Sequence, residues 1–440
     1  MDQTVTAPKR IVLTPWGSFG DLHPFLALAI ELKRRGHDPV IATCAAYREK
    51  VEGEGIGFAP MRPDVGELQN RPDVVKRIFH PIRGSEYIIR EMLMPVLGES
   101  FEDVNAAAEG ADLLISHSIT FATPLVAELR GLPWLSVVLQ PSVMFSEFDP
   151  PRLPQLRIVQ GRGPVFKKLF FSVMRFLSRR WFQPYDRLRR QVGLPPSKGH
   201  PLFEGQFSPD GTIALFSKLF GQPQPDWPPR TTIAGFPFYD RFDASSRELS
   251  PELARFLDEG SEPIVFTLGS SAVFDPGTFF DVSAKAARRV GRRAVLLAGL
   301  EYSNRLRLKS DDRMLICAYE PHSLLFPRAA AIVHQGGIGT TAQALRSGKP
   351  MLVVAFSHDQ PDNGARVEEM GVGLTMPKDR YSTATAIAAL GTLLKDDRIR
   401  NKAAETGSQI RAEQAVKQAC DVIERTLERT LKSARSSIED

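Results

Sequence analysis

Cysteine is scarce in this sequence, and the spacing of the few cysteines excludes two kinds of site. The 440 residues contain three, Cys44, Cys317 and Cys420, and none of them belongs to a C-x-x-C pair. Neither a disulfide framework nor a zinc site built on cysteine pairs is therefore expected. A reduced, cytoplasmic setting fits this usage.

Long apolar runs are also missing. None reaches the ~18 residues that a membrane-spanning helix requires, and the polar start MDQTVTAPKR does not resemble a signal peptide. The net charge of +5 is a mild excess that suits an anionic ligand, and no nucleic-acid-binding motif accompanies it. Composition is that of a soluble globular protein, 42% hydrophobic and 24% charged, and the length suggests two domains.

The clearest pattern in the chain begins at residue 329. Residues 329–333 form a short apolar run that predicts a buried strand, and His334 follows at its carboxyl end. The turn after the histidine is rich in glycine, which lets a backbone approach a ligand closely. Its glycines are Gly336, Gly337 and Gly339.

A helix is predicted directly after this turn. It opens at Thr340 and ends at Gly348, with Pro350 behind it. The first amides of a helix have no partner within the helix, and the helix dipole adds partial positive charge there. A strand, a glycine-rich turn and a helix start therefore predict an anion site, with phosphate as its natural ligand.

A second predicted strand, 351–356, ends in the sequence Ser-His-Asp-Gln. Asp359 and Gln360 would face the same crevice as the phosphate site, because ligands bind at the carboxyl ends of strands in open α/β sheets. A phosphate binder beside a hydroxyl binder indicates a sugar attached to a diphosphate. Glycine-rich turns alone are often only tight packing, and His334 alone could be an ordinary buried histidine, so the prediction depends on the full order of residues.

That order, H-x-G-G-x-G-T-T followed by H-D-Q-x-x-N, resembles the donor-binding signature of the family 1 glycosyltransferases. GSFGDLHPF at 17–25, QPDWP at 224–228 and GFPFYD at 235–240 extend the resemblance. It is closest to the bacterial rhamnolipid-type rhamnosyltransferases, within the branch that includes macrolide and sterol glycosyltransferases. It runs from Arg10 to about Leu394 and so covers nearly the whole chain.

The resemblance implies an α/β protein of the GT-B fold, in which two Rossmann-like, doubly wound domains face an inter-domain cleft. We expect an acceptor-binding domain at 1–241, a nucleotide-sugar-binding domain at 242–409, and a C-terminal helix at 410–440 that returns to the first domain. The residue pattern independently predicts alternating strands and helices. Further strands are predicted at 10–16, 39–43, 111–116, 134–139, 213–216, 263–268, 293–298 and 314–318, and further helices at 25–35, 165–192, 279–289, 382–394 and 396–430.

The resemblance assigns the catalytic base to the turn after the first strand. Many relatives carry a histidine there, whereas this chain has Asp21, as in bacterial members with Gly-Asp. Asp21 could instead be a helix N-cap, a position that aspartate favours. Where relatives place an aspartate that orients the base, this chain has His117. His117 could tune Asp21, act as the base itself, or be structural, as a lone histidine at a strand end often is.

The resemblance also assigns the contacts of the donor. Tyr319 would stack on the base, with His322 in the place of a family glutamine. The diphosphate would be held by His334 and by backbone amides, and the sugar hydroxyls by Asp359 and Gln360. The full set of donor-binding residues is Gly20, Ser270, Tyr319, His322, His334, Gly336, Gly337, Gly339, Thr340, Asp359 and Gln360.

Two differences from the family pattern affect which donor the enzyme is expected to bind and whether it needs a metal. Plant members have a glutamate for the ribose where this chain has Ala342, which leaves room for dTDP beside UDP. The chain also lacks an Asp-x-Asp sequence, so no metal and no other cofactor is expected, and the nucleotide sugar serves as co-substrate.

The expected function is inverting transfer of a hexose, glucose or rhamnose, from a UDP- or dTDP-sugar to a hydroxyl of a hydrophobic small molecule such as a lipid, polyphenol, polyketide or sterol. Three alternatives stay open. A nucleotide-sugar epimerase on the same scaffold would need no acceptor. A dinucleotide-dependent oxidoreductase would need the third glycine that GSFG lacks. A sugar-nucleotide sensor would bind donor without catalysis.

Residues 165–192 interleave apolar and basic side chains at helical spacing. This pattern predicts a basic amphipathic helix that could contact a membrane at its inner surface or line an apolar acceptor site. An ordinary packed helix with a solvated basic face would show the same pattern.

Overall fold

The computed structural model describes residues 7–64, 66, 71–240, 248–269, 275–299 and 308–439. Two parallel sheets organise these residues. The strands of the first sheet are β1 Arg10–Thr14, β2 Asp38–Thr43, β3 Gly57–Pro60, β4 Leu113–His117, β5 Trp134–Val138, β6 Thr212–Ala214 and β7 Thr231–Ile233. Those of the second are β8 Ile264–Thr267, β9 Ala294–Leu297, β10 Met314–Cys317, β11 Ala331–His334, β12 Met351–Ala355 and β13 Gly373–Pro377.

The two sheets have the same topology. The first has the strand order β3-β2-β1-β4-β5-β6-β7 and the second β10-β9-β8-β11-β12-β13. In each, the order reverses between two neighbouring parallel strands, β1 and β4 in the first sheet and β8 and β11 in the second. This is the doubly wound arrangement, so the predicted fold class is confirmed. Ligands of such sheets bind outside the carboxyl ends of the strands at the point of reversal.

Helices cover both sheets, as a parallel sheet requires. They are α1 Phe19–Arg34, α2 Arg48–Gly53, α3 Pro72–Ile78, α4 Gly84–Tyr87, α5 Leu97–Ala107, α6 Ala122–Arg130, α7 Pro164–Ser178, α8 Gln183–Gln191, α9 Pro251–Asp258, α10 Phe279–Arg289, α11 His322–Leu325, α12 Ile338–Ser347, α13 Gln360–Glu369, α14 Thr383–Lys395, α15 Asp397–Ala412 and α16 Ala415–Glu439. A π-helical segment, Ile88–Leu93, follows α4, and short 3-10 turns lie at Ala45–Tyr47, Pro141–Met144, Pro154–Val159, Arg179–Phe182, Phe326–Arg328 and Lys378–Arg380.

The first helix begins earlier than its apolar stripe predicts. Ser18 caps α1, so the helix includes the segment that we expected to be a turn. Pro24 lies inside it, so the helix lacks the one hydrogen bond that an amide at this position would donate to the Gly20 carbonyl. Asp21 therefore lies in the first turn of a helix.

Two predicted helices are each divided in the structure. The 165–192 segment is α7, a 3-10 turn and α8, and Pro184 lies at the start of α8, where its missing amide costs little. The 396–430 segment is α15 and α16, separated at Glu413, whose backbone is extended. No strand was predicted between residues 216 and 263, but β7 lies there and extends the first sheet beyond β6.

We call residues 7–240 the N-terminal unit and residues 248–412 the C-terminal unit. One hydrophobic cluster contains buried side chains from both units. They include Phe216 and Phe236 from the N-terminal unit and Leu253 and Leu345 from the C-terminal unit. Burial of apolar side chains from both units stabilises their packing. The domain boundaries predicted at 241 and 409 remain predictions, and Phe242 lies outside the described residues.

The last helix packs on the N-terminal unit. α16 contacts α1, and the Arg35 guanidinium lies 2.7 Å from Asp421 and 2.6 Å from Glu424. Cys420 is buried against the same helix. None of the helices in the described part of the chain combines the length and apolar character needed to cross a membrane.

Candidate active site

The two points of strand reversal hold most of the residues singled out in the sequence. In the N-terminal unit, Asp21 follows β1 and His117 ends β4. In the C-terminal unit, Gly269 follows β8 and His334 ends β11. Both places are where a doubly wound sheet binds its ligand.

The start of α12 is open for an anion. Its N-cap is Gly337, which has no side chain to occupy the first amides of the helix. Gly336 precedes it with φ +91, and a β-carbon there would lie 2.6 Å from Val353 Cγ1. Only glycine fits this turn, which presents the amides of Gly339 and Thr340 to the cleft with the positive end of the helix dipole behind them.

The turn after β8 lies against the same helix start. A β-carbon on Gly269, whose φ is +63, would lie 2.4 Å from Gln335 Nε2 and 3.2 Å from Thr340 Oγ1. This close approach brings Gly269 beside the start of α12. Ser270 itself lies outside the described residues, so its diphosphate contact remains a prediction.

His334 is fully buried at the end of β11. Its Nδ1 accepts a hydrogen bond from the Gly336 amide at 3.1 Å, and its Nε2 lies 3.5 Å from Met351 Sδ. Burial, and secondarily the charge of His322, lowers its pKa to about 3. In this geometry the neutral ring supports the glycine turn from beneath.

Asp359 and Gln360 lie at the start of α13, with Asp359 as the N-cap. Asn363 Nδ2 donates to Asp359 Oδ2 at 2.6 Å and to the Gly336 carbonyl at 2.9 Å, which ties the carboxylate to the glycine turn. The Gln360 side-chain oxygen accepts from the amides of residues 356 and 357. Those two bonds fix the Gln360 side chain and leave its NH2 group to donate a hydrogen bond to a ligand.

The environment of Asp359 disfavours its charge. Burial and the nearby negative charge of Asp21 raise the pKa of Asp359 to about 7. The Asp21 carboxylate, which belongs to the other unit, is therefore close enough to influence the charge of Asp359. Asp359 gains or loses its proton near neutral pH.

Asp21 has two different carboxylate oxygens. Oδ2 accepts from the Ser18 amide at 2.7 Å and from Ser18 Oγ at 3.1 Å, so this oxygen completes a capping box. Ser18 is the N-cap of α1, so the alternative that Asp21 is the N-cap is wrong. Asp21 lies at the third helical position and completes the capping box from there. Gly17 allows this fold-back, because a β-carbon there would lie 2.2 Å from Asp21 Oδ2.

The other oxygen faces the histidine. Oδ1 of Asp21 lies 3.6 Å from Nε2 of His117. Asp21 is 28% exposed and His117 only 5%, so the carboxylate is the member of the pair that a ligand can reach. Burial lowers the pKa of His117, with Asp21 acting in the opposite direction, and the ring is therefore neutral behind the carboxylate.

The two helix starts meet across the cleft. A β-carbon built on Gly339 of α12 would lie 3.7 Å from the α-carbon of Gly20 in α1. Two helix N-termini of opposite units therefore converge on one place, with Asp21 on one side and the uncapped amides on the other. An anion held by α12 would lie next to the Asp21 carboxylate.

Tyr319 and His322 lie further along the C-terminal unit, after β10. Tyr319 is 38% exposed, so its ring is accessible for stacking. His322 stacks on Phe326 with ring centroids 4.4 Å apart, and burial lowers its pKa to about 4. His23, two residues after Asp21, packs between Phe19 and Tyr239 at centroid distances of 5.3 and 4.8 Å and points away from the carboxylate pair.

Asn363 is the asparagine that ends the H-D-Q-x-x-N signature, although the sequence assigned it no role in the site. The signal was available, because Asn363 stands four residues after Asp359 and so on the same helix face. Ser18 was missed for a different reason, since its role depends on the early start of α1. In the part of the chain that the structure describes, no group of three or more metal-ligating side chains is close enough to hold a metal ion.

The geometry and topology define a GT-B glycosyltransferase, and comparison with known proteins agrees. Residues 11–107 match the family model "Glycosyltransferase family 28 N-terminal domain", and residues 306–428 match "Erythromycin biosynthesis protein CIII-like, C-terminal domain". Among solved structures, the glycotransferase of kitacinnamycin superimposes with a TM-score of 0.70 at 19% identity, covering 96% of this chain and 99% of that one. At this identity the likeness concerns the fold.

One sequence relative establishes the family, and a second agrees with it. O-mycaminosyltylonolide 6-deoxyallosyltransferase of Streptomyces fradiae is 31% identical over 431 residues, which cover 94% of this chain and 97% of that enzyme. Sterol 3-beta-glucosyltransferase UGT80A2 of Arabidopsis thaliana is 28% identical over 100% of this chain and 68% of that enzyme. The chain belongs to the GT-B glycosyltransferases, in the branch that includes macrolide and sterol transferases, and it is a hexosyltransferase.

Proposed function

We propose that this enzyme transfers a hexose from a nucleotide diphosphate to a hydroxyl of a hydrophobic small molecule, with inversion at the anomeric carbon. The observation that carries the proposal is the meeting of α1 and α12. It puts the accessible Asp21 carboxylate opposite an uncapped helix start, within the electrostatic reach of Asp359. A base, a diphosphate site and a hydroxyl binder are therefore in one cleft.

Asp21 removes the proton from the acceptor hydroxyl in this proposal. The acceptor oxygen forms its bond to the anomeric carbon as the bond to the diphosphate oxygen breaks, and that electron pair leaves with the diphosphate. The amides of α12 stabilise the leaving charge, a preorganised electrostatic effect. His117 remains neutral and positions Asp21.

The donor is a UDP- or dTDP-sugar that carries glucose or rhamnose. The position of the plant glutamate is occupied by the buried Ala342, so α12 itself supplies no acidic side chain for the ribose, and the neighbouring Gln343 donates to Asp240 at 3.1 Å. This favours tolerance of a deoxyribose. His334 contributes to diphosphate binding through the Gly336 turn, and Tyr319 offers its exposed ring to the base. No metal is required, because the helix amides meet the diphosphate charge.

The acceptor class follows from the relatives and from the surface. The two enzymes named above act, by their names, on a tylonolide derivative and on sterols, both large apolar alcohols. In this chain Phe148 is 57% exposed and Ile158 55% exposed, in the loops after β5. These side chains are suited to contact an apolar acceptor such as a polyketide or sterol.

The test is a transfer assay with purified enzyme. UDP-glucose and dTDP-rhamnose are each offered with a panel of macrolide aglycones and sterols, and products are identified by mass and by the anomeric coupling in their proton spectrum. A glycoside of inverted configuration supports the proposal. Donor conversion without acceptor, or retention of configuration, would contradict it.

We also propose peripheral contact with the inner membrane surface through residues 165–192. The outward side of α7 is apolar, with Val165 81%, Leu169 63% and Phe176 77% exposed. The surrounding sequence from 150 to 185 contains eight basic residues and no acidic one; Arg152, Arg175 and Arg179 among them pair with carboxylates from outside this segment. An apolar face with basic neighbours suits an anionic lipid surface, whereas pairing with a second copy would bring like charges together.

Sedimentation with vesicles tests this contact. We expect binding to phosphatidylcholine vesicles only when phosphatidylglycerol is included, and loss of binding in the double variant Leu169→Gln/Phe176→Gln. Leu129→Gln is the control, since Leu129 is 42% exposed on α6. Equal binding by all three proteins would contradict the assignment, as would a wild-type dimer that the double variant dissociates.

A further inference from the structure

Helix α13, which carries Gln360 directly after Asp359, is held by the N-terminal unit through a buried arginine. Arg366 Nη2 lies 2.9 Å from Asp149 Oδ2, and Arg366 Nη1 donates to the Phe220 carbonyl at 3.2 Å. Both of these partners belong to the N-terminal unit. Arg366 Nε donates to Asp362 Oδ2 at 2.8 Å on its own helix.

A second arginine, Arg152 of the N-terminal unit, contacts α13 of the C-terminal unit. The Arg152 amide donates to Asp362 Oδ1 at 2.9 Å, and its guanidinium makes a bidentate pair with Glu369 at 2.8 Å for both bonds. Residues 149–152 thus contact α13 at both its first and its last turn. Paired, bidentate contacts of this kind restrict rotation as well as separation.

The central charges of this network are fully enclosed. Asp362 is 0% and Arg366 5% exposed. Burying such charges costs about as much as their mutual attraction returns, so a buried ion pair is weak grounds for stability. What it supplies is a defined placement of one element relative to another, because any other placement leaves a buried charge without its partner.

The other end of the same stretch is held by a different part of the N-terminal unit. His358 Nδ1 lies 3.2 Å from Ser85 Oγ, and the Phe79 ring packs edge-on to the imidazole at 5.8 Å. Gly84 permits this approach, since a β-carbon there would lie 3.0 Å from His358 Cε1. His358 has φ +57, a strained conformation for histidine that surrounding contacts must maintain.

We propose that Arg366 and His358 are positioning residues for the donor sugar, which hold Asp359 and Gln360 between two clamps supplied by the acceptor-binding side of the enzyme. The inference rests on the proposed function, because it takes Asp359 and Gln360 as the groups that bind the sugar hydroxyls. It adds that their placement depends on residues 78–85 and 149–152 of the other unit.

The proposal predicts that the diphosphate and the sugar contribute separately to the affinity for the donor. The diphosphate is held by the open amides of α12, and none of the clamp contacts described above involves α12, whereas the sugar is held by the clamped stretch. Loosening a clamp should therefore weaken the contribution of the sugar to binding and leave that of the nucleotide diphosphate intact. Acceptor loops that move on binding would act on the sugar through the same contacts.

Calorimetric titration of Asp149→Asn tests the first clamp. The affinities for UDP and UDP-glucose, and for dTDP and dTDP-rhamnose, are compared with those of wild type. We expect diphosphate affinity to change less than about twofold and the gain from the attached sugar to fall about tenfold, the effect of losing a charged hydrogen bond. Asp359→Ala should show the same separation.

Two further variants keep the test informative if Asp149→Asn does not fold. Arg152→Met removes the guanidinium contacts to Glu369 while keeping the backbone amide that donates to Asp362 and most of the aliphatic part of the side chain, and Ser85→Ala removes the hydroxyl at the second clamp. Both should reduce the gain from the sugar. Asp421→Asn is the matched control, because it also removes a carboxylate paired with an arginine, on α16 and remote from the cleft.

The outcomes separate this inference from the proposed function. If wild type binds neither diphosphate, the proposed function fails and the inference with it. If wild type gains affinity from the sugar and the clamp variants keep that gain, the inference alone is overturned. Equal loss of diphosphate and sugar binding in the clamp variants would also overturn it, as it would show a general structural defect.

Discussion

Oδ1 of Asp21 lies 3.6 Å from Nε2 of His117, while Oδ2 of the same carboxylate is held by Ser18. The distance exceeds that of a hydrogen bond, yet it is short enough for each group to influence the other. The carboxylate is the accessible partner and the neutral imidazole lies behind it. This arrangement favours Asp21 as the base and His117 as its support.

His117→Gln should therefore be tolerated better than loss of the carboxylate. Glutamine keeps a polar, neutral group near Asp21, so we expect turnover to fall no more than about tenfold, compared with ~10²–10⁴-fold for loss of a general base. Steady-state rates of transfer check this. A loss as large as that of Asp21→Asn would assign the base role to His117.

His334→Ala should weaken diphosphate binding about tenfold, because the Gly336 amide would lose the acceptor that fixes the turn. Isothermal titration with UDP and dTDP measures it. His200→Ala is the matched control, since His200 is also buried and hydrogen-bonded, to Ser178 at 3.1 Å, but is remote from the cleft. Unchanged affinity in His334→Ala would remove His334 from the donor site.

Asp359→Asn should stabilise the ligand-free enzyme at high pH. The pKa of Asp359 is raised to about 7 from its ordinary value of 3.8, so the folded protein favours the protonated form. Wild type then loses stability as pH rises from about 4 to about 7, and the variant does not. We expect a difference on the order of 4 kcal/mol at pH 8 and none below pH 4 in urea unfolding. A constant difference across this range would contradict the raised pKa.

Chelation should leave the reaction unaffected. In the proposed mechanism the amides and the dipole of α12 stabilise the negative charge of the leaving group without a metal ion. Transfer rates with and without EDTA should therefore agree within error. Dialysis against chelator followed by Mg²⁺ or Mn²⁺ addition completes the measurement. Recovery of activity only on metal addition would show that the helix start is not sufficient.

The fold could be predicted in large part from the sequence. Buried parallel strands are continuous apolar runs, and most were located within two or three residues. β3, β7 and β13 were missed, and all three lie at sheet edges. β3 and β13 each contain glycine and proline, which an edge strand tolerates, and β7 is only three residues long. The break between α15 and α16 was missed because the polar, helix-favouring sequence continues through Glu413.

The candidate site was predictable only within each unit. Residues near in sequence, such as His334 and the glycines after it, are brought together by local geometry. The convergence of Gly20 and Gly339, and the contacts of Arg366 with Asp149, depend on how two units pack. No periodicity in either segment encodes that packing, so these relationships required the structure.

The most direct measurement is a paired assay of Asp21→Asn, in which nucleotide binding is titrated and sugar transfer is timed on the same preparation. Asparagine preserves the acceptor that caps α1, so folding and donor affinity should remain near those of wild type. We expect transfer to fall ~10²–10⁴-fold with UDP or dTDP affinity within about twofold. Near-normal transfer would contradict the assignment of Asp21 as the base, and parallel loss of both readouts would show that the residue acts through the structure of the site.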